Sequence, residues 1–229
     1  MLTHALHDLL QHLENAARHA GRPCPRLLAV SKTQPAEAIA ALATAGQAAF
    51  GENYVQEAMG KQLALAGLGL EWHLIGHLQS NKAKEAASRF DWVQTVDRPK
   101  LVAALARHRP SGRPPLNVLI QVNIDDESSK HGCMPAEVES LATQVASEPS
   151  LALRGLMAIP APHPDPDTRR AAFRRMKGLF DALASTHRRV DTLSMGMSDD
   201  LDLAIAEGAT MVRIGTALFG ARPRKTETP

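Results

Sequence analysis

The sequence is poor in aromatic residues and in cysteine. Tyrosine occurs once, tryptophan twice and phenylalanine five times in 229 residues. Any core must therefore be built mainly from Ala, Leu, Val, Ile and Met, and a hydrophobic content of 44% is ample for one. Two cysteines, Cys24 and Cys133, are too few for a disulfide framework or a cysteine-based zinc site, and they suit a reducing cytosol. Neither sign of charge is in excess: 26 basic against 24 acidic residues leave a net charge of +2. That balance gives no footing for wholesale nucleic-acid binding. No apolar run approaches the ~18 residues of a membrane span. The N-terminal stretch MLTHALHDLLQHLENAARHAG lacks the basic and apolar regions of a secretory signal. The expectation is a cytoplasmic protein with neither membrane nor nucleic acid among its partners.

What is present is alternation. The first segment places Leu6, Leu9, Leu10, Leu13 and Ala17 at helical spacing, stopped by Gly21 and Pro23. Short apolar segments then alternate with helical ones. RLLAVSK, AAFGEN, EWHLIG, WVQTVD, NVLIQVN, LRGLMAI, TLSMG and MVRIG read as eight strands, with a helical pattern between each successive pair. Alternating strand and helix implies a parallel sheet, because parallel neighbours need a crossover. Eight units in a chain of this size predict an α/β fold, a closed (β/α)8 TIM barrel, with a doubly wound open sheet as runner-up. Residues 1–229 are expected to form one domain, with an extra helix over 1–21 and a frayed tail over 223–229. The proline-rich AIPAPHPDPDT reads as a loop over the barrel mouth.

Chemistry in a barrel gathers at the C-terminal ends of the strands. Those ends carry Lys32, then Glu52 and Asn53, then His73 and His77, then Asn123 and Lys130, then Met157, then Ser194 and Ser198, and finally Arg213, Gly215 and Thr216. The last two ends suit an anion. Ser198 is placed at a helix N-cap, Gly215 admits close backbone approach, and Thr216 adds N–H and hydroxyl donors. Ser198 reads equally as a plain helix cap, and Asp199 and Asp200 would repel a phosphate unless they point away. Lys32 is either a solvated strand end or a nucleophile; the second needs an unprotonated amine, and hence desolvation or a nearby cation. His73 reads as a satisfied core histidine or a catalytic one. Arg213, inside the last strand, needs a partner: an acid such as Glu52, or a ligand's ring nitrogen or carboxylate. His4, His7, His12 and His19 fall on one solvated helix. No spacing resembles a metal-ligand set.

The blocks LLAVSKTQP, FGENYVQEA, WHLIGHLQSNK, LNVLIQVNIDDESSKHG, LRGLMAIPAP and LSMGMSDDLDLAIAEGATMVRIGTALFGAR run in this order from Leu27 to Arg222. Together they resemble the pyridoxal phosphate homeostasis proteins, relatives of the alanine racemase N-terminal barrel. The resemblance implies that Lys32 forms an internal aldimine with pyridoxal 5'-phosphate (PLP). It implies Asn53 beside the cofactor ring, His73 and Met157 lining the pocket, Arg213 facing the pyridine nitrogen, and Ser198, Gly215 and Thr216 around the phosphate. Lys130 matches a second lysine associated with cofactor handling. The implied role is to hold and buffer PLP, with apo PLP-dependent enzymes as recipients; no catalytic residue and no metal is assigned. A small PLP-dependent racemase or lyase is the alternative. Racemases resembling this barrel take a tyrosine base from a second domain, for which a chain ending at Pro229 is expected to have no room. The single tyrosine, Tyr54, follows the second strand. An arginine against the ring nitrogen would also weaken the electron sink that carbanion chemistry needs. A monomer is expected, and His77, which stands where some family members have proline, is expected to leave cofactor binding unaffected.

Overall fold

The computed structural model describes residues 1–127 and 130–220. Helix α1, Leu2–Ala20, comes first. The strands follow as β1 (Arg26–Val30), β2 (Ala49–Glu52), β3 (Glu71–Leu74), β4 (Trp92–Val96), β5 (Leu116–Gln121), β6 (Leu151–Met157), β7 (Thr192–Ser194) and β8 (Met211–Ile214). Between them lie α2 (Ala36–Thr44), α3 (Val55–Ala64), α4 (Ala83–Arg89), α5 (Pro99–His108), α6 (Val138–Ala146), α7 (Pro166–Thr186) and α8 (Leu201–Ala206). A short α9, Thr216–Phe219, follows the last strand. The strands close in sequence order into a parallel barrel, with β8 paired back to β1. The closed barrel, not the open sheet, is the observed architecture.

The strand period of two divides the core in two. Leu27 and Ala29 of β1 face outward into the layer shared with the helices. Leu28, between them, faces inward and packs with Ala49 and Met211. The scarcity of large aromatics is met inside the barrel by one cluster of Trp92, Leu119 and Met157. Helix α1 buries Leu6, Leu9, Leu13 and Ala17 against α2, α8 and α9. It therefore covers the seam where the barrel closes. Leu10, expected on that apolar stripe, is 40% exposed, because it falls to the side of the buried face. His12 bonds Asp202 of α8 at 2.8 Å and ties α1 to the seam.

Two helices are entered through tighter turns: Ser80–Lys82 and Pro135–Glu137 are 3-10 turns that lead into α4 and α6. Helix α7 begins as its composition dictates: Asp165 accepts from the N–H groups of Asp167 and Thr168, and Pro166 fills the first turn. No helix among the described residues is long and apolar enough to cross a membrane. The tail expected over 223–229 and the pair at 128–129 lie outside the described residues.

Candidate functional site

The mouth of the barrel holds a cavity of about 630 Å³. Its walls follow from strand periodicity. Leu28 faces inward, so Val30 and Lys32 do too, and both line the cavity; on β8, Arg213 and Gly215 keep the same parity. The register sets Leu28 beside Arg213 and Ala29 beside Ile214, so Val30 runs next to Gly215. Asn53, two residues beyond Gly51, and Ile75, two beyond His73, complete the wall on the β2–β3 side. Ser198, Thr216 and Ile159 close the opening. Six of the expected residues therefore meet in one place: Lys32, Asn53, Ser198, Arg213, Gly215 and Thr216.

His73 and Met157 are not among the lining residues. His73 lies two residues before Ile75 on the same face of β3, one layer deeper, and is fully buried. Its ring stacks on Trp92 at 5.1 Å between centroids. Met157, also fully buried, packs against the same tryptophan from β6. Both form the floor under the cavity. Strand parity alone cannot tell floor from wall, because both face inward.

Arg213 is buried, and the acid expected as its ordinary partner is engaged elsewhere. Nη1 donates to the carbonyl and hydroxyl oxygens of Ser194, 2.8 Å each, and Nη2 donates to Ala158 O at 2.8 Å. Its hydrogen-bond partners among the described residues are thus neutral. Burial pulls its pKa down to about 10, against a weaker opposing pull from Asp200. A buried cation with only neutral partners is costly unless a ligand completes its shell, and the open side of this one is the cavity.

Glu52, proposed as that acid, points outward into the helix layer. It accepts from Ser31 Oγ at 2.6 Å and from Lys61 Nζ at 2.8 Å. Lys61 also donates to Ser31 O (2.7 Å) and to Glu57 (2.6 Å), and Glu57 accepts from Thr33 N at 2.5 Å. The peptide units on both sides of Lys32 are therefore clamped from beneath. Thr33 sits at φ 65, a strained region for a β-branched residue. In sequence Lys61 is only the i+4 partner of Glu57 on a helix, an ordinary surface pair, so its place beneath Lys32 is not legible there. Only its burial and three acceptors reveal its part.

The anion end also differs in detail. Ser198 is not the N-cap of α8: that position is Asp200, and Ser198 lies in the turn before it. Asp200 turns its carboxylate back to Met197 N, at 2.7 Å. Asp199 is exposed and lines the rim. Gly215 is the N-cap of α9; a Cβ there would come 3.3 Å from Val30 O, tight enough to fill the space beside Lys32's strand. Gly76 is demanded by a closer approach, since a Cβ would fall 2.1 Å from Asn53 O. Lys130 is not itself a lining residue but reaches the rim: its Nζ donates to Ile159 O at 3.5 Å and pairs with Asp125 and Glu127 at 3.7 and 3.4 Å.

Residues 5–223 match the model of the alanine racemase N-terminal domain family. The chain is 54% identical over 212 residues to the pyridoxal phosphate homeostasis protein of Pseudomonas aeruginosa, covering 92% of this chain and 91% of that one. It is 51% identical to the protein of the same name from Escherichia coli, covering 96% and 97%. Among solved structures, PipY of Synechococcus elongatus with PLP bound superposes with a TM-score of 0.84, at 37% identity, over 96% of this chain and 100% of that one. Alanine racemase from Corynebacterium glutamicum, at 22% identity and a TM-score of 0.66, shares the fold.

Proposed function

Since this chain belongs to the pyridoxal phosphate homeostasis proteins, we propose that it holds PLP in the mouth cavity, covalently through Lys32, and buffers or delivers it in the cytosol. One observation carries this reading. A lysine at one strand end and the donor-rich turn of Gly215 and Thr216 line the same cavity, with a buried arginine between neutral partners on its wall. The residues suit the cofactor chemically: an amine for the aldehyde, N–H and hydroxyl donors for the phosphate, and a donor for the ring nitrogen.

When bound, PLP supplies an electrophilic aldehyde and an electron-accepting ring. The chain's own residues decide what becomes of it. Lys32 binds by forming a carbon–nitrogen bond to the aldehyde carbon, with release of water. Thr216 and Ser198 donate hydrogen bonds to the phosphate, and Gly215 leaves room for it. Arg213, whose proton stays on the guanidinium, donates to the ring nitrogen and keeps it from being protonated, which favours holding over carbanion chemistry. The near relatives bear the name of a homeostasis protein and not of an enzyme, which supports the same reading.

The test is an absorbance spectrum of the PLP-loaded protein followed by borohydride reduction and peptide mapping. The expected result is a band whose reduction fixes the cofactor on Lys32. The same reducible band in Lys32→Ala would overturn the assignment. Exchange of amino-acid α-protons in deuterated water, faster than with free PLP and lost in Lys32→Ala, would restore the enzymatic alternative.

A further inference from the structure

Three side chains far apart in sequence meet on the rim of the mouth. His77 follows β3, Asp97 follows β4 directly, and His131 lies in the loop after β5; one ligand atom from each falls within 4.8 Å of the others. We propose that His77, Asp97 and His131 bind a single transition-metal dication of the zinc class. None of the three lines the main cavity. Sequence spacing predicts no such site, because each ligand comes from a different strand end.

The geometry favours a built site over two surface rings in chance contact. The imidazoles stack at 3.7 Å and 16°, a parallel pair that must splay for both in-plane lone pairs to reach one ion, and a carboxylate oxygen lies within 4.8 Å of a nitrogen of each. Asp97 keeps one oxygen for Arg98 Nη1 at 2.6 Å, and Arg98 reaches back to Leu78 O at 2.9 Å, on the segment that carries His77. The His131 side is held as well. Gln121 Nε2 donates to His131 O at 3.1 Å, and Val122 bridges to Cys133. Outer partners of this kind orient ligands. A tetrahedral ion with bonds near 2.0–2.1 Å sets its ligand atoms about 3.3 Å apart, so the set closes by at most ~1.5 Å on binding. Both rings are exposed and have the freedom to tilt by that much.

The donor chemistry selects the ion. Hard Mg²⁺ and Ca²⁺ take oxygen ligands, and Arg98 offsets the one carboxylate charge available to attract them. Two imidazole nitrogens and one carboxylate oxygen suit Zn²⁺, Co²⁺, Ni²⁺ or Cu²⁺, with water completing the shell. Such an ion ties together the loops after β3, β4 and β5. A pocket beside the main cavity that includes His77 shares Asn53 with it.

The experiment is Co²⁺ absorption and Zn²⁺ calorimetry on the full chain, with and without PLP, in a Cys24→Ser background that removes the exposed thiol. Expected are visible Co²⁺ bands at one ion per chain, displaced by Zn²⁺ and reversed by chelator. His77→Ala and His131→Ala should each weaken Zn²⁺ binding by about 100-fold or more, beyond the ~10–100-fold that an outer partner is worth. His4→Ala, on the surface of α1, should leave it unchanged. Circular dichroism checks each fold, and His77→Gln and His131→Gln replace any alanine variant that fails. Unchanged affinity in the His131 variants, loss in His4→Ala instead, or no saturable Co²⁺ binding would overturn the site.

Discussion

Arg213 and Ser194 meet twice: Nη1 lies 2.8 Å from both the carbonyl and the hydroxyl oxygen of the serine. Because the guanidinium can only donate, the hydroxyl proton of Ser194 turns to Gln94 Oε1, 2.8 Å away. The amide of Gln94 is thereby oriented, and its Nε2 donates to His73 Nδ1 at 2.9 Å. His73 must then carry its proton on Nε2 and donate to Glu71, 2.6 Å distant, which in turn pairs with Arg26 at 2.8 Å. One chain of hydrogen bonds thus runs along the barrel from its exposed N-terminal end to the mouth cavity. It fixes the tautomer of a histidine that no contact with the cavity would fix. It also gives His73 a positioning role three hydrogen bonds removed from the arginine.

Ser194→Ala breaks this chain at its upper link. Gln94 Oε1 loses its donor in the barrel interior, and Arg213 loses one of three acceptors. The expected cost is about 1–3 kcal/mol of stability, read by denaturant titration. PLP retention should weaken with it, because Arg213 gains freedom to leave the ring. A variant with normal stability and unchanged PLP dissociation would show that the carbonyl of Ser194 suffices.

The buried imidazole makes stability depend on pH. Burial holds His73 below its ordinary pKa, although Glu71 pulls the other way. The pKa of Glu71 is lowered to about 2: burial would raise it, but the hydrogen bond from His73, the charge His73 takes on in acid and the charge of Arg26 outweigh burial. In the unfolded chain the imidazole takes a proton near about 6.5, whereas in the barrel it stays neutral to lower pH. Over that interval the unfolded state binds more protons, so stability falls on acidification by up to about 1.4 kcal/mol per pH unit. His77, lowered by burial and by His131, adds in the same direction, and Glu52, raised by burial, opposes. His73→Gln should flatten the slope below about pH 6.5 relative to the unmodified protein. Equal slopes in the two proteins, measured by denaturation at pH 7.5, 6.5 and 5.5, roughly spanning the unfolded imidazole's titration, would contradict a neutral buried His73.

The barrel was legible because each strand is a short apolar run punctuated by a helix, and periodicity reports that directly. Lys32 and Gly215 were legible as site residues because they follow the ends of apolar strands, and Arg213 because a guanidinium inside such a strand needs a partner. His73 and Met157 also face inward but belong to the floor, and depth along a strand depends on barrel tilt, which one strand's pattern does not encode. Ser198 was misread as the cap because the helix starts later, at Leu201, with Asp200 in the cap position. Lys61 and Gln94 were not legible: Lys61 acts by folding back from α3 onto Glu52 and Ser31, 9 and 30 positions away, and Gln94 through Ser194, 100 positions away and brought near by barrel closure. The three rim ligands were hidden for the same reason.

Gly215 sets the space for the anion end. A Cβ would lie 3.3 Å from Val30 O and 3.4 Å from Val30 Cβ, so alanine requires a shift of a few tenths of an ångström and valine considerably more. Gly215→Ala should weaken PLP binding modestly. Gly215→Val should weaken it by about tenfold or more, roughly 1.4 kcal/mol, while the amine at Lys32 remains able to react with free pyridoxal. Equilibrium dialysis with PLP and with pyridoxal separates the two effects. Equal losses for both ligands would place the damage at the aldehyde end and refute a phosphate role for Gly215.

Lys61 carries the sharpest consequence for Lys32. It is buried among Glu52, Glu57 and the Ser31 carbonyl, and Glu57 holds the amide of Thr33. Burial pushes the pKa of Glu52 up, and the hydrogen bonds from Lys61 and Ser31 only partly offset this. Lys61→Met removes the one cation from this group and leaves Glu52 and Glu57 unbalanced, at an expected cost of about 3–5 kcal/mol. Adding Glu52→Gln removes the uncompensated carboxylate and should recover part of that loss. The strained turn at Thr33, worth about 1–3 kcal/mol, persists only while both flanking peptide units are held. In the double variant the Ser31 carbonyl still lacks its donor, so the fold returns before the loop does. The yield of borohydride-trapped PLP on Lys32 should therefore stay low in a protein whose stability has largely recovered. Trapping that recovers in step with stability would show that Lys61 serves the fold alone.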